Sequence, residues 1–395
     1  MTSPRVIGAE HVEDARRRGR VALEVMPGDI VTALARESAS RIGVRLVDGP
    51  LEKPVPPIVD GNTAMRRVLH KRSPGWVSPS KSRPKRVCRF AKIALVGGGG
   101  VGSNIAHLAA AGDMADEIAI VDVAPGIAAA TAMDLNHASG ITRTRARVAG
   151  GQNLELVAGA DVVVVSAGRA RVPGMSRADL IGVNRRVIHA AGEAIRTNAP
   201  EAIVIVVTNP LDEMTVEMLR ATGFPRERVL GMAGTLDSSR YRNALAEAAG
   251  VPPSDVEAIA LGSHGDEMAP VASLARIRGQ PAERFLAKEA LRRCGEEAVG
   301  GGARVVELKK TGSAVIAPAH STIELLDHIR GARQGPVPVS IMLEGEYGIS
   351  GVVLGVPAHL GRSGLVEVVN LRLSGDERAA LGAAAEAIGK RLEMS

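Results

Sequence analysis

Aromatic side chains are scarce: one Trp, two Tyr and three Phe make up 2% of the 395 residues. Stacking platforms for nucleic-acid bases are built from such rings, so this composition argues against nucleic acid as a partner. Two cysteines, Cys88 and Cys294, cannot build a disulfide framework. A reducing compartment suits them better than a lone bridge in so long a chain. Neither has a Cys or His neighbour at ligand spacing, so no metal site is expected. No apolar run reaches the roughly eighteen residues that a membrane span needs, and the first residues lack the apolar core of a secretory signal. They are Arg-rich like a transit peptide, but Glu10, Glu13 and Asp14 do not suit one. A cytoplasmic protein without membrane contact is the expectation.

The chain does have charge, unevenly placed. The net +6 comes from the N-terminal part: residues 1–90 hold 18 basic and 9 acidic side chains, the other 305 residues 31 and 34. The basic excess is concentrated in residues 61–90, which hold nine Lys/Arg and no acid. It therefore marks an appended segment and says little about the rest of the chain.

Three textures follow one another. Residues 1–50 read as a small appendage: a helix from Glu10 to Arg18, a strand over Val21–Val25, a turn at Pro27-Gly28 and a second strand over Val44–Val47. Between the strands, Asp29 is the expected cap of a helix running to Ile42, with Ile30, Leu34 and Ala35 on one face and Gly43 as its stop. Residues 51–90 carry Pro at 54, 56, 57, 74, 79 and 84 amid Lys, Arg and Ser, the composition of a partly disordered linker. From Lys92 onward, continuous apolar runs (Ile93–Val96, Ile118–Val121, Val162–Val165, Ile203–Val207) alternate with helical sequence. Runs apolar at every position suit strands buried on both faces, as in a parallel sheet between helix layers. The expected fold class is α/β: a Rossmann-type parallel-sheet domain over residues 91–234, then an α+β catalytic domain over residues 235–395.

After the first run comes Gly97-Gly98-Gly99-Gly100-Val101-Gly102, a G-x-G-x-x-G at Gly97, Gly99 and Gly102. Gly97 allows the tight turn, Gly99 a close backbone approach to a pyrophosphate, and Gly102 close helix–strand packing. Asp122 ends the next strand 20 residues later, where a carboxylate accepts hydrogen bonds from ribose hydroxyls and repels a 2′-phosphate. A glycine run alone is weak, but in this context it predicts an NAD site.

Further clusters hold what a 2-keto acid requires. His264, within Leu261-Gly-Ser-His-Gly-Asp266, is a candidate proton donor, since imidazole titrates near working pH. Asp237 can orient it, and Arg240, three positions on, can hold a carboxylate bidentately. Arg169, Arg171 and Arg177 lie in a Gly- and Pro-punctuated loop after a buried strand, suited to a lid over anions. Asn209, in Val207-Thr-Asn-Pro-Leu211, ends another strand at the same carboxyl edge. Taken singly, each has a bland reading: a core histidine, a capping Asp, a solvated Arg.

Together these motifs, with Met133-Asp-Leu135, Leu343-Glu-Gly-Glu-Tyr-Gly348 and Val353-Leu-Gly-Val-Pro357, resemble the lactate/malate dehydrogenase family from about Lys92 to Leu392. The resemblance implies NAD as cofactor, a homo-oligomer (dimer or tetramer), and roles residue by residue. His264 matches the proton donor and acceptor, Asp237 its partner, Arg240 the grip on the C1 carboxylate, Arg177 the carbonyl-polarising loop arginine and Asn209 the asparagine that binds both substrate and cofactor. Arg171 holds the discriminating position, arginine in the family's malate enzymes and commonly glutamine in its lactate enzymes. It therefore implies the dicarboxylates malate and oxaloacetate, with L-lactate or another 2-hydroxyacid as the alternative. A non-catalytic NAD-binding protein would need a broken proton donor, which His264 and Asp237 argue against. The chain departs from the family pattern at Arg169-Ala170, usually Leu-Pro, at Val172, often lysine, and over His320–His328. The stretch Met26–Arg36, continuing to Arg45, is similar to short segments of enzymes associated with bacterial microcompartments. A docking partner for residues 1–50 is the corresponding expectation; a dispensable tail is the other.

Overall fold

A computed structural model describes residues 5–17, 22–49, 87–169, 177–310 and 312–393, with residues 177 and 178 by backbone only. The Pro-rich stretch 50–86 and the loop holding Arg171 lie outside the described residues. The chain divides into two compact units, Met1–Val59 and Asp60–Ser395.

The first unit contains β1 (Val6–Ile7), α1 (Ala9–Arg17), β2 (Ala22–Val25), β3 (Ile30–Val31), α2 (Ala33–Ile42) and β4 (Arg45–Asp48). The strands form two parallel pairs, β1 with β3 and β2 with β4. Ile7, Val12, Val25, Ala35, Ala39 and Val44 make its core. The expected cap is corrected here: Thr32, not Asp29, begins α2, its hydroxyl accepting from the Ala35 N–H at 3.1 Å. Asp29 is engaged elsewhere, with the Met26 N–H at 2.9 Å and the Arg5 guanidinium at 2.7 Å. The chain between them is thereby free to pair as β3. Ile30 and Leu34, expected inward, are 60% and 65% exposed; α2 instead buries Ala35, Ser38 and Ala39. Gly43 does stop the helix, at φ +71°.

The second unit opens with β5 (Phe90–Val96), α3 (Gly100–Ala111), β6 (Ala115–Val121), α4 (Ile127–Thr142), β7 (Arg147–Gly151), β8 (Val162–Val165), α5 (Arg177–Asn198), β9 (Ile203–Val206), α6 (Leu211–Thr222) and β10 (Val229–Gly231). These six strands are parallel, in the order β7-β6-β5-β8-β9-β10. The apolar runs explain the arrangement. Ile93 and Leu95, Val162 and Val164, Ile203 and Ile205 face one core. Ala94 and Val96, Val163 and Val165, Val204 and Val206 face the other. Each fully buried Val or Ile contributes about 1.5–3 kcal/mol, so neither face can be left to water, and helices cover both. In this order the chain reverses direction between β5 and β8, which opens a crevice at their carboxyl ends, where ligands of such sheets bind.

The remainder is α7 (Gly234–Ala249), the short strands β11 (Val256–Glu257), β12 (Ala260–Gly262), β13 (Met268–Pro270), β14 (Arg276–Ile277) and β15 (Gln280–Pro281), then α8 (Lys288–Lys309), α9 (Ile316–Ile329), β16 (Val337–Glu344), β17 (Ser350–Gly361), β18 (Gly364–Val368) and α10 (Gly375–Glu393). β16 pairs antiparallel with β10, Gly231 opposite Ser340. The parallel sheet therefore continues as β16-β17-β12-β13 into a mixed sheet of eleven strands among the described residues. Through that continuity the two halves share one core, and β12 is placed to deliver its following turn to the helices of the first half.

Candidate active site

The glycine turn has the geometry its sequence implied. Gly97 sits at φ +112°, and a Cβ there would come within 2.5 Å of the Ala167 amide nitrogen. At Gly102 a Cβ would lie 1.8 Å from the Gly97 carbonyl oxygen, so the first turn of α3 presses directly on the end of β5. Gly99 has open space on the same test, leaving its backbone accessible at the helix N-terminus, where N–H groups favour an anion. Asp122, one residue past β6, accepts from the Gly98 N–H at 2.7 Å and the Ala124 N–H at 2.9 Å. A carboxylate has about four acceptor positions, so these two bonds fix its direction and leave capacity for ribose hydroxyls. The turn, the open helix end and the acid fit a dinucleotide.

A row of hydrogen bonds leads from this turn along the carboxyl edge. Ser166 Oγ donates to the Gly97 carbonyl at 3.2 Å, and the Ala167 N–H to that of Val96 at 2.8 Å. Thr208 Oγ1 donates to the Ala167 carbonyl at 2.6 Å. Asn184, fully buried on α5, donates to the Asn209 carbonyl at 2.6 Å and accepts from the Arg169 N–H at 2.7 Å. Asn184 thus ties Asn209, three residues past β9, to Arg169 at the start of the arginine loop. Arg177 opens α5.

Three residues along the chain from Asn209, Asp212 meets His264. The turn after β12 lies on the N-terminus of α6: the His264 N–H donates to Asp212 Oδ2 at 2.8 Å and Ser263 Oγ to the same oxygen at 3.0 Å. His264 Nδ1 is 2.9 Å from Asp237 Oδ2 on α7, and Arg240 Nη1 donates to Asp237 Oδ1 at 3.2 Å. The i,i+3 spacing puts Asp237 and Arg240 on one helix face, so one carboxylate joins imidazole to guanidinium. Asp237 is 4% exposed, His264 16% and Arg240 20%. Gly301 and Gly302 make room for the arginine: a Cβ at either would lie 3.3–3.4 Å from its side chain.

Burial alone lowers an imidazole's pKa, but the charge and hydrogen bond of Asp237, with the charge of Asp212, outweigh that and raise His264 above its ordinary value. Asp212, fully buried, is pushed up to about 6 by loss of solvent.

The sequence matches two models of one family: the NAD binding domain of lactate/malate dehydrogenase over residues 91–231 and its alpha/beta C-terminal domain over residues 234–394. The chain belongs to the lactate/malate dehydrogenase family. The malate dehydrogenase of Trichormus variabilis is 40% identical over 317 residues, covering 80% of this chain and 98% of its own. A crystal structure of Cryptosporidium parvum malate dehydrogenase matches with a TM-score of 0.75 at 35% identity, over 78% of this chain and 99% of that one. A lactate dehydrogenase of the same organism, complexed with lactic acid and NAD, matches with a TM-score of 0.75 at 31% identity, over 78% of this chain and 98% of its own. As a family member this chain is an NAD-dependent oxidoreductase, and its first 90 residues precede the matched range.

Of the residues singled out from sequence, Gly97, Gly99, Gly102 and Asp122 line one turn, and His264, Asp237 and Arg240 form one cluster. Arg171 lies outside the described residues. Sequence reasoning missed Asp212 and Asn184. Asp212 follows the Thr-Asn-Pro-Leu stretch directly, and Asn184 interrupts an apolar helix face; each was a polar residue where burial was expected, which was the available signal.

Proposed function

We propose that this protein is an NAD-dependent malate dehydrogenase, interconverting malate and oxaloacetate. The observation that carries this reading is the His264–Asp237–Arg240 cluster, with the His264 peptide held on the N-terminus of α6 just after Asn209. Relatives named malate dehydrogenase support the choice of substrate. With Nδ1 turned to Asp237, Nε2 of His264 is left to take the C2 hydroxyl proton in oxidation and return it in reduction. Asp237 stabilises the imidazolium so formed and fixes the ring. Arg240 holds the C1 carboxylate, Asn209 orients the substrate beside the cofactor, and Arg177 polarises the carbonyl. NAD, when bound, accepts the hydride from C2. Gly97, Gly99 and Gly102 would hold its pyrophosphate and Asp122 its ribose.

Arg171 pairs with the second carboxylate of oxaloacetate. Pyruvate would leave that guanidinium unpaired, at a cost of about 2–5 kcal/mol in a closed site. Replacing Arg171 with Gln is expected to cut oxaloacetate reduction far more than pyruvate reduction; equal losses would refute the discrimination. A homo-oligomer is supported by exposed apolar side chains on α4, Ile127 at 45%, Met133 at 61% and Ile141 at 86%. Residues 1–50 serve as a docking module, a reading supported by their compact core.

A further inference from the structure

Asp237 holds the His264 ring and its charge favours the imidazolium. The peptide that carries His264 is held from the opposite side. Asp212, the second residue of α6, is wholly buried and has three partners: the His264 N–H at 2.8 Å and the Ser263 hydroxyl at 3.0 Å on Oδ2, and the Ser340 hydroxyl at 3.3 Å on Oδ1. One side chain therefore joins the N-terminus of α6, the turn after β12 and the middle of β16. The far end of the same turn is tied to the same helix. Arg391 of α10 donates to Glu213 at 2.7 Å and to Glu267 at 2.7 Å. Residues 263–267 are thus braced at both ends by consecutive residues of α6.

A carboxylate is costly to bury where a neutral acceptor would suffice. Ser263, Ser340 and a backbone N–H would all be served by an asparagine, whose amide oxygen accepts and whose amide nitrogen donates. What an asparagine lacks is negative charge beside His264. We propose that Asp212 is a second acidic positioning residue for His264, which fixes the Ser263–His264 peptide and supplies charge that favours the imidazolium from the backbone side. This rests on the reading of His264 as the proton acceptor in malate oxidation. Other ionisable groups around the turn are Asp237 and Arg240 from α7, Glu213 on α6, Asp266 and Glu267 in the turn and Arg391 from α10. Asp212→Asn leaves all of them in place.

The sign follows from the chemistry. Malate oxidation needs neutral imidazole, so its rate rises with pH through the His264 pKa. Asp212, itself pushed up to about 6, is mostly ionised across a limb that lies above the ordinary imidazole value, so removing its negative charge lowers the His264 pKa and moves the acid limb to lower pH. The test compares kcat/KM for malate from pH 5 to 9 in the full chain, wild type against Asp212→Asn, with KM for NAD measured alongside. The expected result is a shift of about one pH unit toward acid with KM for NAD unchanged. A uniform loss of kcat with the limb in place would mean a structural role only, and overturns the proposal. Ser263→Ala removes one tie and keeps the charge. It is expected to lower kcat about tenfold through misplacement of the ring without moving the limb; wild-type kcat in this variant overturns the positioning role, and it decides the matter if Asp212→Asn does not fold. His264→Asn separates the two readings. Activity that survives this change refutes the proposed proton acceptor, whereas its loss beside an unmoved Asp212→Asn limb refutes only the role of Asp212.

Discussion

Replacing Asp237 with Asn probes the centre of the site, because that carboxylate is the one contact shared by His264 and Arg240. Two effects add. The first is charge. Opposite charges about 4 Å apart attract by roughly 4 kcal/mol at an effective dielectric near 20. His264 and Arg240 are 16% and 20% exposed and the arginine opposes the imidazolium, so about half of that is a sounder figure. Half corresponds to a fall of about 1.5 units in the His264 pKa. The second is orientation. An amide at this position can turn its NH2 toward Nδ1 and favour the tautomer that leaves Nε2 protonated, which blocks the base; the comparable change in a serine-protease triad costs about 10⁴-fold. A kcat loss on the order of a thousandfold is therefore expected in oxidation. In the reverse direction imidazolium must donate, so activity falls as pH rises through the His264 pKa. That alkaline limb should move toward acid by about 1.5 units. The assay is oxaloacetate reduction from pH 5 to 9, with NADH binding followed by fluorescence. Activity within tenfold of wild type and an unmoved limb would refute the reasoning.

Gly102→Ala puts a methyl 1.8 Å from the Gly97 carbonyl oxygen, so α3 must back away from β5 and the open helix end moves. NADH affinity should fall by about a hundredfold or more, roughly the loss of two good hydrogen bonds to a charged group, and titration calorimetry measures it. Deleting residues 1–88 should leave kcat and KM within about twofold, because the family match begins at residue 91, while cellular distribution changes. If distribution and kinetics both stay as they were, the docking role is wrong.

The sheet was readable because strands buried on both faces cannot hide: every position of Val162–Val165 and Ile203–Val206 is apolar, and the structure divides them alternately between two cores. The glycine turn was readable because its spacing encodes local backbone geometry. His264, Asp237 and Arg240 were legible for another reason, since two of them share a helix face and the third sits between glycines. What escaped depended on long-range partners. Asp29 looked like a helix cap, but Arg5, 24 residues away, takes its carboxylate, and Thr32 does the capping. Asp212 lies 52 residues from the N–H it accepts and 128 from Ser340, and Asn184 links two strand ends through backbone groups no side-chain motif reveals. Such contacts are set by topology, which periodicity alone does not supply.

Initial rates of NADH oxidation by the full chain, with oxaloacetate and with pyruvate under identical conditions, test the functional reading most directly. Oxaloacetate should be preferred by about thirtyfold to several thousandfold in kcat/KM, from the unpaired-guanidinium penalty of about 2–5 kcal/mol. Equal rates, or a preference for pyruvate, would contradict it.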